Sequence, residues 1–104
     1  MMMPTAIAKQ PEINAAVAAV LRELSPSVQH IRYEIAPDWS GQWALFFRVL
    51  LSDDASNTMS LREIAPRVMS RMTEKLDLPN LGLFPFFYFR SESEQAILND
   101  PAWT

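Results

Sequence analysis

The sequence predicts a two-layer α+β sandwich, with two helices on one face of a small three-stranded mixed sheet. The expected element order is αββαβ followed by a short C-terminal helix. Two segments repeat apolar residues every three or four positions, three others alternate or are continuously apolar, and turn-forming residues separate them. At 104 residues and 49% hydrophobic composition, the chain can build one core. We expect a flexible N-terminal arm over residues 1–10 and a single α+β domain over residues 11–104.

The first helix is expected from Pro11 to the Ser25-Pro26 boundary. Proline suits the first turn of a helix because its missing N–H has no intrahelical partner there. The apolar stripe of this helix consists of Ile13, Val17, Val20, Leu21 and Leu24.

Residues 28–36 switch to alternation, which predicts a strand with one wet face. Val28, His30, Arg32 and Glu34 would lie on one side, and Ile31, Tyr33 and Ile35 on the other. Turn-forming residues at 37–42 lead into residues 43–51, which are apolar on both parities. The two segments therefore predict an antiparallel hairpin whose second strand is central in the sheet.

The second helix is expected to begin at Ser60, because Ser60 and Glu63 have the spacing of a capping box. Its stripe continues through Leu61, Ile64, Ala65, Val68, Met72 and Leu76. Pro66 lies inside the stripe and predicts a kink or a broken first turn.

The third strand, residues 83–90, carries aromatic residues on both parities. Because β-α-β crossovers are right-handed, it would run parallel to the first or second strand, according to the edge it joins. Ser91 and Glu94 form a second capping-box pattern and predict a short helix to about Leu98.

These strands predict an unusual outer sheet face. If Leu45, Phe47, Val49 and Leu51 face the helices together with Tyr33, Ile35, Phe87 and Phe89, the opposite face displays both aromatic rings and guanidinium groups. A slip of one residue would exchange the two sets. The candidate partner-binding residues on this face are Arg32, Phe46, Arg48, Phe86, Tyr88 and Arg90.

Three interpretations of this face remain open. An exposed patch of aromatic residues and arginine is typical of protein interfaces, which predicts a homodimer or a complex with another protein. Alternatively, the C-terminal helix covers the rings, with Trp103 or Ile97 folding back. A third possibility is single-stranded RNA or a nucleotide, with bases stacked on the rings and phosphates on the arginines.

The order helix, two strands, helix, strand resembles the topology of small K-homology-type ribosome-associated proteins, and this resemblance implies RNA binding. The chain departs from the family pattern because Gly41 and Gly82 are its only glycines, so the GxxG loop that clamps the RNA backbone is missing. The formal charge of −3 also argues against a broad electrostatic surface for nucleic acid.

The sequence predicts no enzyme, metal site or cofactor. It contains no cysteine and one histidine, His30, and it lacks the phosphate-binding, zinc-protease, nucleophile-elbow and dinucleotide motifs. No apolar run approaches the roughly 18 residues of a membrane span, and the N-terminus matches a secretory signal poorly. We expect a small cytoplasmic partner protein with no membrane contact.

Overall fold

The computed structural model describes residues 5–104 and confirms the α+β class. The helices are α1 (Gln10–Leu24), α2 (Thr58–Lys75), the one-turn α3 (Leu78–Leu81) and α4 (Glu92–Leu98), and the strands are β1 (Val28–Pro37), β2 (Trp43–Leu51) and β3 (Phe84–Ser91). Short 3₁₀ turns occupy Thr5–Ile7 and Pro101–Trp103. Within these residues, no helix combines the length and apolar character needed to cross a bilayer.

The three strands form one mixed sheet in the order β1-β2-β3. β1 runs antiparallel to β2, while β3 runs parallel to β2 and returns to it through the α2-α3 crossover. The central position of β2 explains why its sequence is apolar on both parities, since both of its faces are covered at least in part.

The core lies between the sheet and the long helices α1 and α2. The predicted inward set of β2 is completely buried: Leu45, Phe47, Val49 and Leu51. The predicted inward residues of the two outer strands pack against this core: Tyr33, Ile35, Phe87 and Phe89. The predicted register of the inner face is therefore confirmed.

A β-bulge corrects one detail of β1. The strand register shifts between Val28 and His30, so Val28 is fully buried in the core instead of sharing the outer face with His30. The extra residue, Gln29, reverses the side-chain parity at this point. Alternation alone placed Val28 on the wrong face.

The start of α2 also differs from the prediction. Asn57 is the N-cap residue, and its side-chain oxygen accepts a hydrogen bond of 3.0 Å from the Ser60 main-chain N–H. Ser60 thus lies in the first turn, and the predicted Ser60 cap is wrong. The helix continues through Pro66, so its first turn is not broken there.

The C-terminal capping box is confirmed. The Ser91 hydroxyl accepts a hydrogen bond from the Glu94 N–H, and the Glu94 carboxylate accepts one from the Ser91 N–H. Because Ser91 ends β3 and caps α4, the chain passes from strand to helix without a loop.

The predicted N-terminal arm, residues 1–10, falls partly outside the described residues. Its described part packs on the domain: Ala6 is completely buried and belongs to the core, and α1 already begins at Gln10.

Candidate functional site

The face of the sheet away from α1 and α2, here called the outer face, carries all six predicted site residues. Cross-strand pairing places Phe46 beside Phe86, and it places Arg48 between Arg32 and Tyr88. Arg90 pairs with Leu50 at the end of the sheet where β3 passes into α4. The structure thus brings five of the candidates into one block and sets Arg90 at its margin.

Five aromatic side chains form a continuous group on this face, here called the aromatic cluster: Trp39, Phe46, Phe84, Phe86 and Tyr88. Phe86 is at its centre, with ring centroids 5.3 Å from Phe46, 5.3 Å from Phe84 and 5.4 Å from Trp39. Tyr88 extends the cluster, with its ring centroid 6.3 Å from Phe46. These separations lie in the range of favourable aromatic pairs, so the rings support one another.

The cluster remains open to solvent. Trp39 is 84% exposed, Phe84 59% and Tyr88 45%, while Phe46 and Phe86 are half-buried beneath their neighbours. Single exposed apolar residues are ordinary on protein surfaces, but contiguous aromatic groups mark interaction sites.

The hairpin turn between β1 and β2 fixes the backbone that carries Trp39. The Asp38 carboxylate accepts hydrogen bonds from the Ser40 main-chain N–H (2.8 Å), the Ser40 hydroxyl (2.6 Å) and the Gln42 N–H (3.1 Å). The bond from the Ser40 hydroxyl is the main cause that lowers the pKa of Asp38 below its ordinary value. Gly41 has φ of 86°, a left-handed conformation that favours glycine.

The last residues of the chain cover the margin of the outer face beside Arg90. Trp103 is buried, and the Arg90 guanidinium lies 4.3 Å from the centroid of its ring. Ile97, the other side chain considered as a cover, is 83% exposed. The C-terminal segment therefore covers one margin through Trp103 and leaves the aromatic cluster open.

The three predicted arginines have different surroundings. Arg90 donates a hydrogen bond of 2.9 Å to the Gln95 side chain and lies 3.8 Å from the Asp100 carboxylate. Arg48 lies 3.7 Å from the Glu34 carboxylate. Arg32 is exposed. Two of the three positive charges thus face a carboxylate of the same chain.

A shallow groove of about 340 Å³ separates the aromatic cluster from Trp103. It is lined by Glu34, Ala36, Pro37, Phe46, Arg48, Tyr88 and Trp103. Its lining combines apolar surface with one carboxylate and one guanidinium.

Two members of the cluster were not among the predicted site residues. Phe84 has the same strand parity as Phe86, so extending the alternation by two positions would have found it. The place of Trp39 depends on how the hairpin turn folds over the sheet, which the turn residues do not specify.

The Nε2 atom of His30 is buried and has no hydrogen-bond partner among the described residues. Within the same part of the chain, no three histidine, aspartate or glutamate side chains converge as metal ligands would.

Comparison of the chain with protein-family models, with curated proteins and with solved structures found no match.

Proposed function

We propose that this chain is a non-catalytic protein-interaction module that binds a partner protein through the aromatic cluster. The observation that carries the proposal is the exposure of contiguous rings on the sheet, with Trp39, Phe84 and Tyr88 all open to solvent. Tyrosine and tryptophan are enriched at the centres of protein interfaces because they bury a large area with few rotatable bonds.

The charges around the cluster support a protein partner over RNA. Single-stranded RNA binding combines stacked bases with cations along the phosphate backbone. Here Arg90 is engaged by Trp103 and Asp100, and Arg48 lies near Glu34. Arg32 is then the one predicted arginine that is exposed on this face, which provides little positive charge for phosphates.

Trp39 allows a test with a closely matched control. It is 84% exposed, and Ile97 on α4 is 83% exposed, so Trp39→Glu and Ile97→Glu each place one charge at an equally open apolar site. Neither side chain belongs to the buried core, and both variants should fold with unchanged circular dichroism.

The experiment is affinity capture from an extract of the source cells, with wild type and both variants as bait. The proposal predicts a discrete protein, other than this chain itself, that is retained by wild type and by Ile97→Glu. Trp39→Glu should retain that protein at least about ten-fold less, since interface aromatics contribute upwards of about 1.4 kcal/mol. Equal retention by all three baits, or retention of RNA alone, would contradict it.

A further inference from the structure

The two edges of the sheet differ in how they are protected. β1 has a bulge at Gln29 and exposes the charged side chains of Arg32 and Glu34. These are devices by which proteins prevent an edge strand from pairing with another chain. β3 has one charged residue, Arg90, whose side chain is 19% exposed and held within its own chain.

β3 also shows aromatic surface on both faces of the sheet. Phe84 and Tyr88 are exposed on the outer face, and Phe87 and Phe89 are only half-buried on the inner face. A partner lying flat on the outer face would leave the inner rings uncovered. A strand added to the edge covers both faces at once.

The hydrogen bonds of the hairpin determine which main-chain groups of β3 face outward. The Asp38 N–H donates to the Gln42 carbonyl, so even-numbered residues of β2 point their main-chain groups towards β1. Odd-numbered residues of β2 then bond to β3. In a parallel ladder, a residue bonds to the two residues on either side of its partner. Leu45 is paired with Pro85, so its main-chain groups bond to Phe84 and Phe86, and the even-numbered residues of β3 therefore face β2.

The odd-numbered residues of β3 therefore direct their main-chain groups to the free edge. Two independent features agree with this. Pro85 has no N–H to donate, and proline in a sheet is placed where the missing donor would face solvent. The Ser91 N–H donates to the Glu94 side chain. Among residues 5–104, the N–H groups of Phe87 and Phe89 are thus the donors of this edge that have no partner.

α4 begins at the end of the sheet and does not continue along this edge. Its first residue, Glu92, accepts a hydrogen bond of 3.2 Å from Gln29 in β1, on the opposite side of the sheet. The Ser93 N–H likewise donates, over 3.0 Å, to Asp53 in the loop after β2.

We propose that β3 pairs antiparallel with β3 of a second copy of this chain, about a two-fold axis at Phe87, to form a continuous six-stranded sheet. In this register, each Phe87 N–H donates to the partner's Phe87 carbonyl. Each Phe89 N–H donates to the partner's Pro85 carbonyl. All four free donors are used, and the missing N–H of Pro85 is not needed.

The side chains favour a second copy in this register. Phe86 of one copy lies beside Tyr88 of the partner subunit on the outer face, and the two Phe87 rings meet on the inner face. Aromatic cross-strand pairs of this kind stabilise sheets. Arg90 falls opposite the exposed Phe84 ring and not opposite its own copy, so no like charges meet.

We expect the buried area of a weak dimer. Specific interfaces bury roughly 1,000 Å² or more in total, and an eight-residue edge with the exposed rings of Phe84 and Tyr88 should bury an area at the low end of that range. We expect a dissociation constant in the micromolar range, because small interfaces with few anchors bind weakly. This inference concerns the sheet edge and does not depend on a partner at the aromatic cluster.

The test uses the absence of cysteine from the chain. Phe86→Cys and Tyr88→Cys are prepared separately, each at a position outside the fully buried core. In the proposed register, residue 86 and residue 88 of the partner form a pair without mutual hydrogen bonds, with Cα atoms about 4.5 Å apart. That separation lies within the range that a disulfide spans.

Mild oxidation of an equimolar mixture should give roughly five-fold more disulfide-linked dimer than either variant alone. Wild type should double in mass by light scattering as its concentration rises through the micromolar range. Equal cross-linking in the mixture and in the single variants, or a monomer at millimolar concentration, would overturn the proposal. Trp39→Glu separates the two proposals. Residue 39 lies away from the β3 edge, so this variant should still form the dimer but should no longer bind the partner protein.

Discussion

The guanidinium of Arg90 lies 4.3 Å from the centroid of the Trp103 ring, which joins the end of β3 to the last residues of the chain. The contact closes one margin of the outer face while the aromatic cluster beside it stays open. One side chain that looked available for a partner is therefore used inside the fold.

Trp103→Ala should destabilise the domain. Trp103 is buried, and removing such a side chain costs about 3 kcal/mol or more, because contacts and apolar burial are lost. We expect a lower midpoint in urea unfolding. Ile97→Ala, at a site that is 83% exposed, is the control and should change stability by less than about 0.5 kcal/mol. Equal stability of the two variants would show that the C-terminal turn is not docked on the sheet.

Asn57→Ala should destabilise α2 by about 1 kcal/mol, because the first turn loses its side-chain cap. Ser60→Ala should have a much smaller effect, since the Ser60 main-chain N–H, and not its hydroxyl, takes part in the cap. Chemical denaturation of the two variants measures the difference. A larger loss at Ser60 than at Asn57 would place the N-cap where the sequence pattern put it.

Asp53 should make stability depend on pH in the acid range. Its carboxylate accepts hydrogen bonds from the side chain and the main chain of Ser93, and the side-chain bond is the main cause that lowers the pKa of Asp53 below the ordinary 3.8. A lowered folded-state pKa means that the unfolded chain binds the proton more readily. The contribution is therefore complete above about pH 4 and is lost as pH falls through the lowered pKa.

The measurement is the urea midpoint of wild type and Asp53→Asn between pH 2 and pH 6. Wild type should lose more stability than Asp53→Asn as pH falls below about 4, because the variant has no carboxylate to protonate. Parallel curves for the two proteins would show that the tether between Asp53 and Ser93 does not contribute in solution.

Replacement of both Phe86 and Tyr88 by glutamate should yield a folded protein that no longer binds other protein chains through these rings. Both side chains lie on the outer face, outside the buried core, so the circular dichroism of the native fold should persist. The two charges would be desolvated in any interface built on these rings, which costs several kcal/mol per unpaired charge. Unfolding of the variant would instead show that these rings hold the domain together.

The hydrophobic pattern was sufficient to predict the layers of the fold. Continuous apolar character identified β2 as central, and alternation gave the correct inner face, because a wrong parity would expose Phe47 and Val49. The inward position of Val28 was not predicted, because a bulge adds one residue to the strand and leaves the amino-acid composition of the segment unchanged. The cap at Asn57 was not predicted, because several polar residues in the preceding loop can accept hydrogen bonds from the same free N–H groups at the start of α2.

The candidate site was predictable only in part, because some of its contacts depend on how distant segments of the chain pack. Parity placed Phe46, Phe86 and Tyr88 on one face, and the structure brings them together. The position of Trp39 depends on a turn, and the engagement of Arg90 depends on where the C-terminus returns. Both are long-range packing outcomes that local spacing does not specify.

The most direct test of the interaction surface is photo-crosslinking in the source cells, with a benzophenone amino acid at position 88 or at position 97. Tyr88 belongs to the aromatic cluster, whereas Ile97 is an exposed apolar residue on α4. We expect position 88 to give a discrete adduct with a protein other than this chain, and position 97 to give none. A position-88 adduct with a second copy alone, no adduct at position 88, or the same adducts from both positions would contradict the proposed partner protein.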